Sequence, residues 1–161
     1  MGIQILFVLL FALNILLVTL SERFQWYRLP GSFIFAYLPL LTVFFEQPRF
    51  ELDHFWWRVA GGITIALGIA LVIWAKRAIG TVELATSGPY QFVRHPIYLG
   101  LIFVWVGWWW AWAAVYSFYF GMFILALAWI QGYLEEKLDL DKKFGDRYRE
   151  YRSQTGMFWV K

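Results

Sequence analysis

From Pro96 to Leu134 the chain carries no charged side chain. As one helix that run would be about 60 Å long, roughly twice the thickness of a bilayer's hydrocarbon core. It must fold back on itself, and the pattern predicts a hairpin of helices over Pro96–Trp112 and Ala114–Leu134. Two spanning helices return a chain to the side it left. Arg94 and His95 before the run, and Glu135 and Glu136 after it, are therefore expected at one membrane surface. Ionisable groups gathered there are a functional-site hypothesis by default.

Three earlier stretches are also apolar: Ile3–Leu20, Ser32–Phe45 and Trp57–Ala75. They do not alternate, which excludes a β-barrel. Apolar residues make up 61% of the chain and charged ones 16%, too much apolar surface for a soluble domain of this size to hide. The expected fold is all-α: a polytopic transmembrane bundle of about five helices with a cytosolic helical tail, read as one domain over 1–161. The second helix is short and carries Pro39, so it is expected to be kinked, tilted or partly re-entrant. In the third, Gly62, Ala66 and Ala70 form a small-residue stripe expected to pack closely on a neighbour. Residues Met1–Ser21 lack a basic flank and read as a first spanning helix, not as a signal peptide. Leu6 stands where an N-myristoylation motif needs Ser or Thr.

Orientation follows from Lys and Arg. With the C-terminus inside, the inner segments hold Arg23, Arg28, Lys76, Arg77, Arg94 and the basic residues of the tail, whereas the outer segments hold Arg49 and Arg58. That is a positive-inside bias. Trp56-Trp57 and Trp108-Trp109-Trp110 with Trp112 would form the outer aromatic belt. The small chain points to a prokaryotic cell membrane. In the tail, Leu140, Phe144, Tyr148 and Tyr151 make one apolar helical stripe, and Gly145 should weaken that helix locally. The tail would lie on the membrane or close over the loop Lys76–His95.

Several chemistries are excluded. There is no cysteine, so no disulfide, thiolate metal site or cysteine nucleophile. Only His54 and His95 offer imidazole, and no metal spacing or phosphate-binding glycine loop appears. The basic residues flank apolar runs, so the expected partner is the lipid bilayer and not nucleic acid. No oligomeric state is implied.

Each residue at the seam has a bland reading on its own. Arg94 suits a membrane anchor, Pro96 the first turn of a helix, His95 a cap, and Tyr98 an interfacial anchor. Together they fit a small zwitterionic or cationic ligand. Carboxylates suit ribose hydroxyls or an ammonium group, and Arg suits a carboxylate or phosphate. The rings of Tyr90, Tyr98 and Tyr148 suit a cation. Gly88 and Gly100 allow close backbone approach.

Gly88-Pro89-Tyr90, Val93-Arg94-His95-Pro96-Ile97-Tyr98-Leu99-Gly100, Glu135-Glu136-Lys137-Leu138 and Phe144-Gly145-Asp146-Arg147-Tyr148-Arg149-Glu150-Tyr151 occur in that order. This half of the chain, about Thr81–Tyr151, resembles the isoprenylcysteine carboxyl methyltransferases, integral membrane enzymes related to phospholipid methyltransferases. The resemblance implies S-adenosylmethionine as cofactor, bound on the cytosolic side by the half 76–161. It implies cofactor contacts from Leu84, Gly88, Tyr90, Val93, His95, Tyr98, Gly100, Glu135 and Glu136, with Arg94 and Glu136 as catalytic residues. The expected reaction is methyl transfer to a lipophilic acceptor, most like isoprenylcysteine carboxyl O-methylation. A carboxylate acceptor needs no base; for a thiol or amine, Glu135, Glu136 or His95 could take the proton. After Tyr151 the chain departs from the family pattern: Thr155-Gly156 is followed by Met157-Phe158-Trp159-Val160, without Pro or Arg. Two rival readings stand. One is an NADPH-dependent reductase of the sterol-reductase type, whose similar motif commonly has Asn where Ile97 stands. The other is a scaffold without turnover.

Overall fold

The computed structural model describes residues 2–19, 25–51, 54–79 and 84–161. Met1, Leu20, Ser21, Arg23 and Thr81, named above, lie outside the described residues, as do the side chains of Arg28 and His54. The described chain is an all-α bundle. Its helices are α1 (Gly2–Thr19), α2 (Arg28–Leu41), α3 (His54–Ala78), α4 (Pro96–Trp112), α5 (Val115–Glu135), α6 (Asp141–Phe144) and α7 (Asp146–Gln154). Among the described residues, three helical spans are long and apolar enough to cross a membrane: Gly2–Thr19, Phe55–Ala78 and Val115–Phe144. Pro30–Phe44 and Pro96–Trp112 are shorter apolar helices.

The predicted hairpin is present. Pro96 opens α4, where its missing N–H is no loss. Ala113 closes it in the left-handed region (φ 48°), with its N–H returned to the carbonyls of Trp109 and Trp110. The carboxyl end of α5 does not stop at the acidic pair. It widens into a π-turn over Glu136–Leu140 and runs on into α6. Acids are unfavourable at a helix C-terminus, and continuing the helix removes that penalty. Gly145 (φ +54°) breaks the helix between α6 and α7.

Two contacts set the bundle. The first is α3 against α4, and it corrects the expected stripe. Gly62, Ala66 and Ala70 are exposed, while the close approach uses the adjacent face. A Cβ on Gly61 would stand 2.6 Å from the Gly107 carbonyl oxygen, and one on Gly68 2.5 Å from that of Gly100. Glycine at these four positions lets two backbones touch. Sequence spacing alone does not separate neighbouring small-residue stripes on one helix.

The second contact is an aromatic core where α1, α2, α4 and α5 meet. Phe11, Phe35, Trp105, Trp109, Ile124 and Ala128 are buried together. The Phe11 and Trp105 rings meet edge to face at 6.0 Å. Here too the sequence expectation is revised. Trp56 and Trp112 are exposed, as a belt requires, but Trp109 is 2% exposed. Its indole N–H donates to the Pro39 carbonyl at 3.2 Å, while Trp105 and Trp108 donate to the carbonyls of Ala36 and Leu40, each at 2.9 Å. Pro39 supplies no N–H to α2, and α2 gives way to a 3₁₀ turn at Thr42–Phe44. Backbone groups at membrane depth need internal partners, and the indoles provide them. Asn14 joins α1 to α2: its amide donates to the Gly31 carbonyl at 3.1 Å and its oxygen accepts from the Tyr27 hydroxyl at 2.9 Å.

Candidate active site

The hairpin brings Arg94, His95, Glu135 and Glu136 to one end of the bundle. Glu136 is the hub. Its side chain is 2% exposed. One carboxylate oxygen, Oε1, accepts from Arg94 Nε at 2.7 Å and lies 3.0 Å from His95 Nε2. The other, Oε2, lies 3.4 Å from Arg94 Nη2 and 3.7 Å from Arg152 Nε. Arg94 is equally committed: its Nη1 donates to the carbonyls of Thr155 and Arg152. These carbonyls belong to a strap after α7. The strap runs beside the loop, with Arg94 N donating to the Gly156 carbonyl at 2.9 Å and His95 N to that of Met157 at 3.2 Å. His95 does not cap α4 with its side chain; its ring turns to the acids and stacks on Tyr98 (centroids 5.4 Å apart, planes 1° apart).

Glu135 behaves differently. Its side chain is 36% exposed. Oε2 accepts from the Tyr98 hydroxyl at 2.7 Å and stands 3.9 Å from His95 Nδ1. It lines a cavity of about 440 Å³ that also touches Leu84, Tyr90, Arg94, His95 and Tyr98. The tail supplies the cavity's other side through Leu140, Lys143, Phe144, Tyr148 and Tyr151. The stripe read in the sequence thus closes over the loop. The Tyr151 hydroxyl donates to the Tyr90 carbonyl at 2.5 Å and fixes that closure.

Three tyrosines of the loop and tail, Tyr90, Tyr148 and Tyr151, are pushed above the ordinary phenol range. Burial, then the nearby Glu135 carboxylate, pushes Tyr90 up to about 12. Burial likewise raises Tyr151 to about 12, against the lowering effects of the Thr155 hydrogen bond and Arg94. Burial and then Glu136 raise Tyr148. The Tyr148 side chain is fully buried and its hydroxyl has no partner at ordinary hydrogen-bond distance.

The expected site residues separate into three groups. Leu84, Tyr90, Arg94, His95, Tyr98 and Glu135 reach the cavity. Glu136 is beside it but enclosed by Arg94, His95 and Arg152. Gly88, Val93 and Gly100 do not line it. Gly88 (φ +60°) turns the loop against Trp74 and Ala78. Val93 pairs its backbone with Gly156, and Gly100 packs on α3. For these three the close approach is to protein. Sequence reasoning did not place Lys143 in the cavity or the strap on Arg94. Lys143 is one residue from the apolar stripe. The strap acts through backbone carbonyls, which leave no side-chain pattern.

No protein-family model, no curated protein and no solved structure matches the chain. What the fold itself defines is an all-α helical bundle of membrane type, with a cavity of mixed charged, aromatic and apolar lining at one end of its helices.

Proposed function

We propose that the cavity binds S-adenosylmethionine and that the chain transfers a methyl group to an acceptor arriving at the membrane surface. The observation that carries this reading is a half-open carboxylate, Glu135, set among neutral tyrosine rings. Its volume of about 440 Å³ is that of a small-molecule site. The sequence resemblance points the same way, and the positive-inside bias supports a cytosolic position for this end.

The residues suit each part of the cofactor. The Glu135 carboxylate suits ribose hydroxyls or an ammonium group. The rings of Tyr90, Tyr98, Tyr148 and Tyr151 suit a sulfonium, whose attraction to a ring face grows when water is excluded. Lys143 suits the cofactor's carboxylate. When bound, the cofactor would supply an electrophilic methyl group. Beyond holding it, the chain contributes orientation and a place for a proton. With Glu136 ionised beside Arg94, His95 donates from Nε2, an assignment made from the hydrogen-bond pattern. That tautomer leaves the Nδ1 lone pair toward Glu135, able to accept a proton from a protic acceptor. Glu136 and Arg94 act through His95 as positioning residues.

Calorimetric titration of the purified protein in detergent tests the reading. S-adenosylmethionine and S-adenosylhomocysteine should both bind, and Glu135→Gln should weaken them about tenfold, the loss of one charged hydrogen bond. If neither binds to folded protein the proposal fails, and NADPH binding in their place would make the chain a reductase.

A further inference from the structure

Pro96 opens α4 beside the site described above, and Trp112 ends the helix at the opposite end of the bundle. There a cavity of about 570 Å³ is lined by Arg49, Arg58, Ala111 and Trp112. Its lining holds two guanidinium groups and no carboxylate. The segments read as outer carry two Lys or Arg residues, on the side where basic residues are depleted. Those two are the pair that lines this cavity. Arg49 is fixed in place: Nη1 donates to the Trp112 carbonyl at 2.7 Å and Nη2 to the Val43 carbonyl at 3.4 Å. Its guanidinium carbon stands 5.4 Å from the centroid of the Trp112 ring. Arg58 lies one turn into α3 and is exposed. Among the described residues neither arginine forms an ion pair. Glu46 and Glu51, the described acids of the preceding loop, do not line the cavity.

We infer that this cavity holds the phosphate of a net-anionic phospholipid between Arg49 and Arg58, in the leaflet opposite the proposed methyl-donor site. Charge is the first argument. Two cations facing one cavity repel each other, and an anion between them removes that cost. The planar fork of each guanidinium matches phosphate oxygens. Arg49 is ordered before a ligand arrives, which lowers the entropy lost on binding. Depth is the second. Phe44, Phe55, Trp56 and Trp112 are exposed around this end, and such aromatic side chains stand at headgroup level. A phosphate held there leaves its acyl chains along the apolar helices α3 and α4. Selectivity is the third. A phosphatidylcholine head would bring an ammonium to a lining without a carboxylate, and the Trp112 ring that could receive it already faces Arg49. A head of net negative charge, such as phosphatidylglycerol, meets neither obstacle.

One bound phosphate would also join two elements. Arg49 belongs to the loop before α3 and bonds the end of α4, whereas Arg58 belongs to α3. The clamp fastens the two helices beyond their last close contact, Gly61 against Gly107 and Ala111. The site is independent of what the first cavity holds.

Because the chain has no cysteine, Ala111→Cys places a single reporter in the cavity. Maleimide labelling rates would be measured on delipidated protein in detergent with phosphatidylglycerol, phosphatidylcholine or inorganic phosphate. Phosphatidylglycerol at ten times its Kd should slow labelling about tenfold, and the other two should not. Adding Arg58→Gln should weaken this protection about tenfold, the loss of a charged hydrogen bond. Its thermal midpoint without lipid should match that of the parent, because Arg58 has no ion-pair partner to lose. Adding Lys142→Gln, an exposed lysine at the other end, should change nothing. In the chain without the cysteine, phosphatidylglycerol should raise the thermal midpoint, and Arg58→Gln should shrink the rise. Equal protection by phosphatidylcholine overturns the anionic selectivity. Protection by inorganic phosphate at the same concentration makes the ligand a free phosphate and overturns the lipid. No protection by phosphatidylglycerol overturns the site, as does a protection or a thermal rise that Arg58→Gln leaves intact or that Lys142→Gln weakens equally.

Discussion

The two ends of the bundle use polar side chains in opposite ways. At the end away from the cavity, Gln47 donates to the Thr42 carbonyl and accepts from Ser117 N, each at 2.9 Å, and Arg49 donates to the Trp112 carbonyl at 2.7 Å. These side chains bond mainly to the backbone and tie the loop before α3 to the α4–α5 turn. At the cavity end Arg94, His95, Tyr98, Glu135 and Glu136 bond chiefly to one another. The first arrangement is spent mainly on backbone partners, with Arg49 itself exposed. The second keeps Glu135 half open, held by a neighbour that is not. Enclosure, and not charge, distinguishes the glutamate that builds the site from the one that faces a ligand.

The sharpest way to break this comparison is to remove the hub. Glu136→Gln leaves Arg94 buried with a neutral partner, and Glu136→Ala leaves it unpaired. Breaking a buried ion pair from one side costs about 3–5 kcal/mol. Glu136→Ala should therefore lower the thermal midpoint in detergent more than any other single change at this end. Glu135→Ala removes the acceptor of the Tyr98 hydroxyl and should cost only about 1 kcal/mol. If the two adjacent alanine variants unfold alike, the division of labour between the glutamates is wrong.

A next-largest effect is expected where α3 meets α4. Gly107→Val puts a Cβ about 2.6 Å from the Gly61 carbonyl oxygen, and overpacking of this kind costs about 1–3 kcal/mol. Gly62→Val, one position away on the exposed stripe, should be close to neutral. Equal losses would mean that the outward stripe also packs in the membrane. At the opposite end, Gln47→Leu should cost about 1–3 kcal/mol by leaving buried Ser117 without its partner, with cofactor affinity unchanged. A parallel fall in affinity would show that the ends are coupled.

What the sequence made legible follows from which interactions leave a periodic trace. The hairpin was legible because an uncharged run too long for one span has few solutions. The tail's closure was legible as the stripe Leu140, Phe144, Tyr148 and Tyr151, because burial on one helix face repeats at helical spacing. The split between Glu135 and Glu136 was not. Adjacent residues point about 100° apart on a helix, and which of them meets Arg94 depends on the π-turn that begins at Glu136. The strap was invisible for another reason: Arg94 reads carbonyls there, and every residue has one. Gly88 and Gly100 were legible as places of close approach, but a glycine does not say whether its neighbour is a ligand or a helix.

The smallest expected effect lies at high pH and separates the tyrosine wall from the rest of the molecule. Tyr90 and Tyr151 are pushed up to about 12 from an ordinary value near 10. The folded state therefore holds these protons more tightly than the unfolded chain. By linkage, their contribution is fully present below about pH 10 and is lost as pH rises toward about 12. The thermal midpoint should fall across that window. Tyr90→Phe, which keeps the ring and removes the ionisable hydroxyl, should flatten the fall without displacing bound S-adenosylmethionine at neutral pH. The Tyr90 ring is assigned to the ligand and its backbone carbonyl to Tyr151, so neither role needs the hydroxyl. If Tyr90→Phe abolishes binding at neutral pH, the hydroxyl itself contacts the ligand and the wall is more than a set of ring faces.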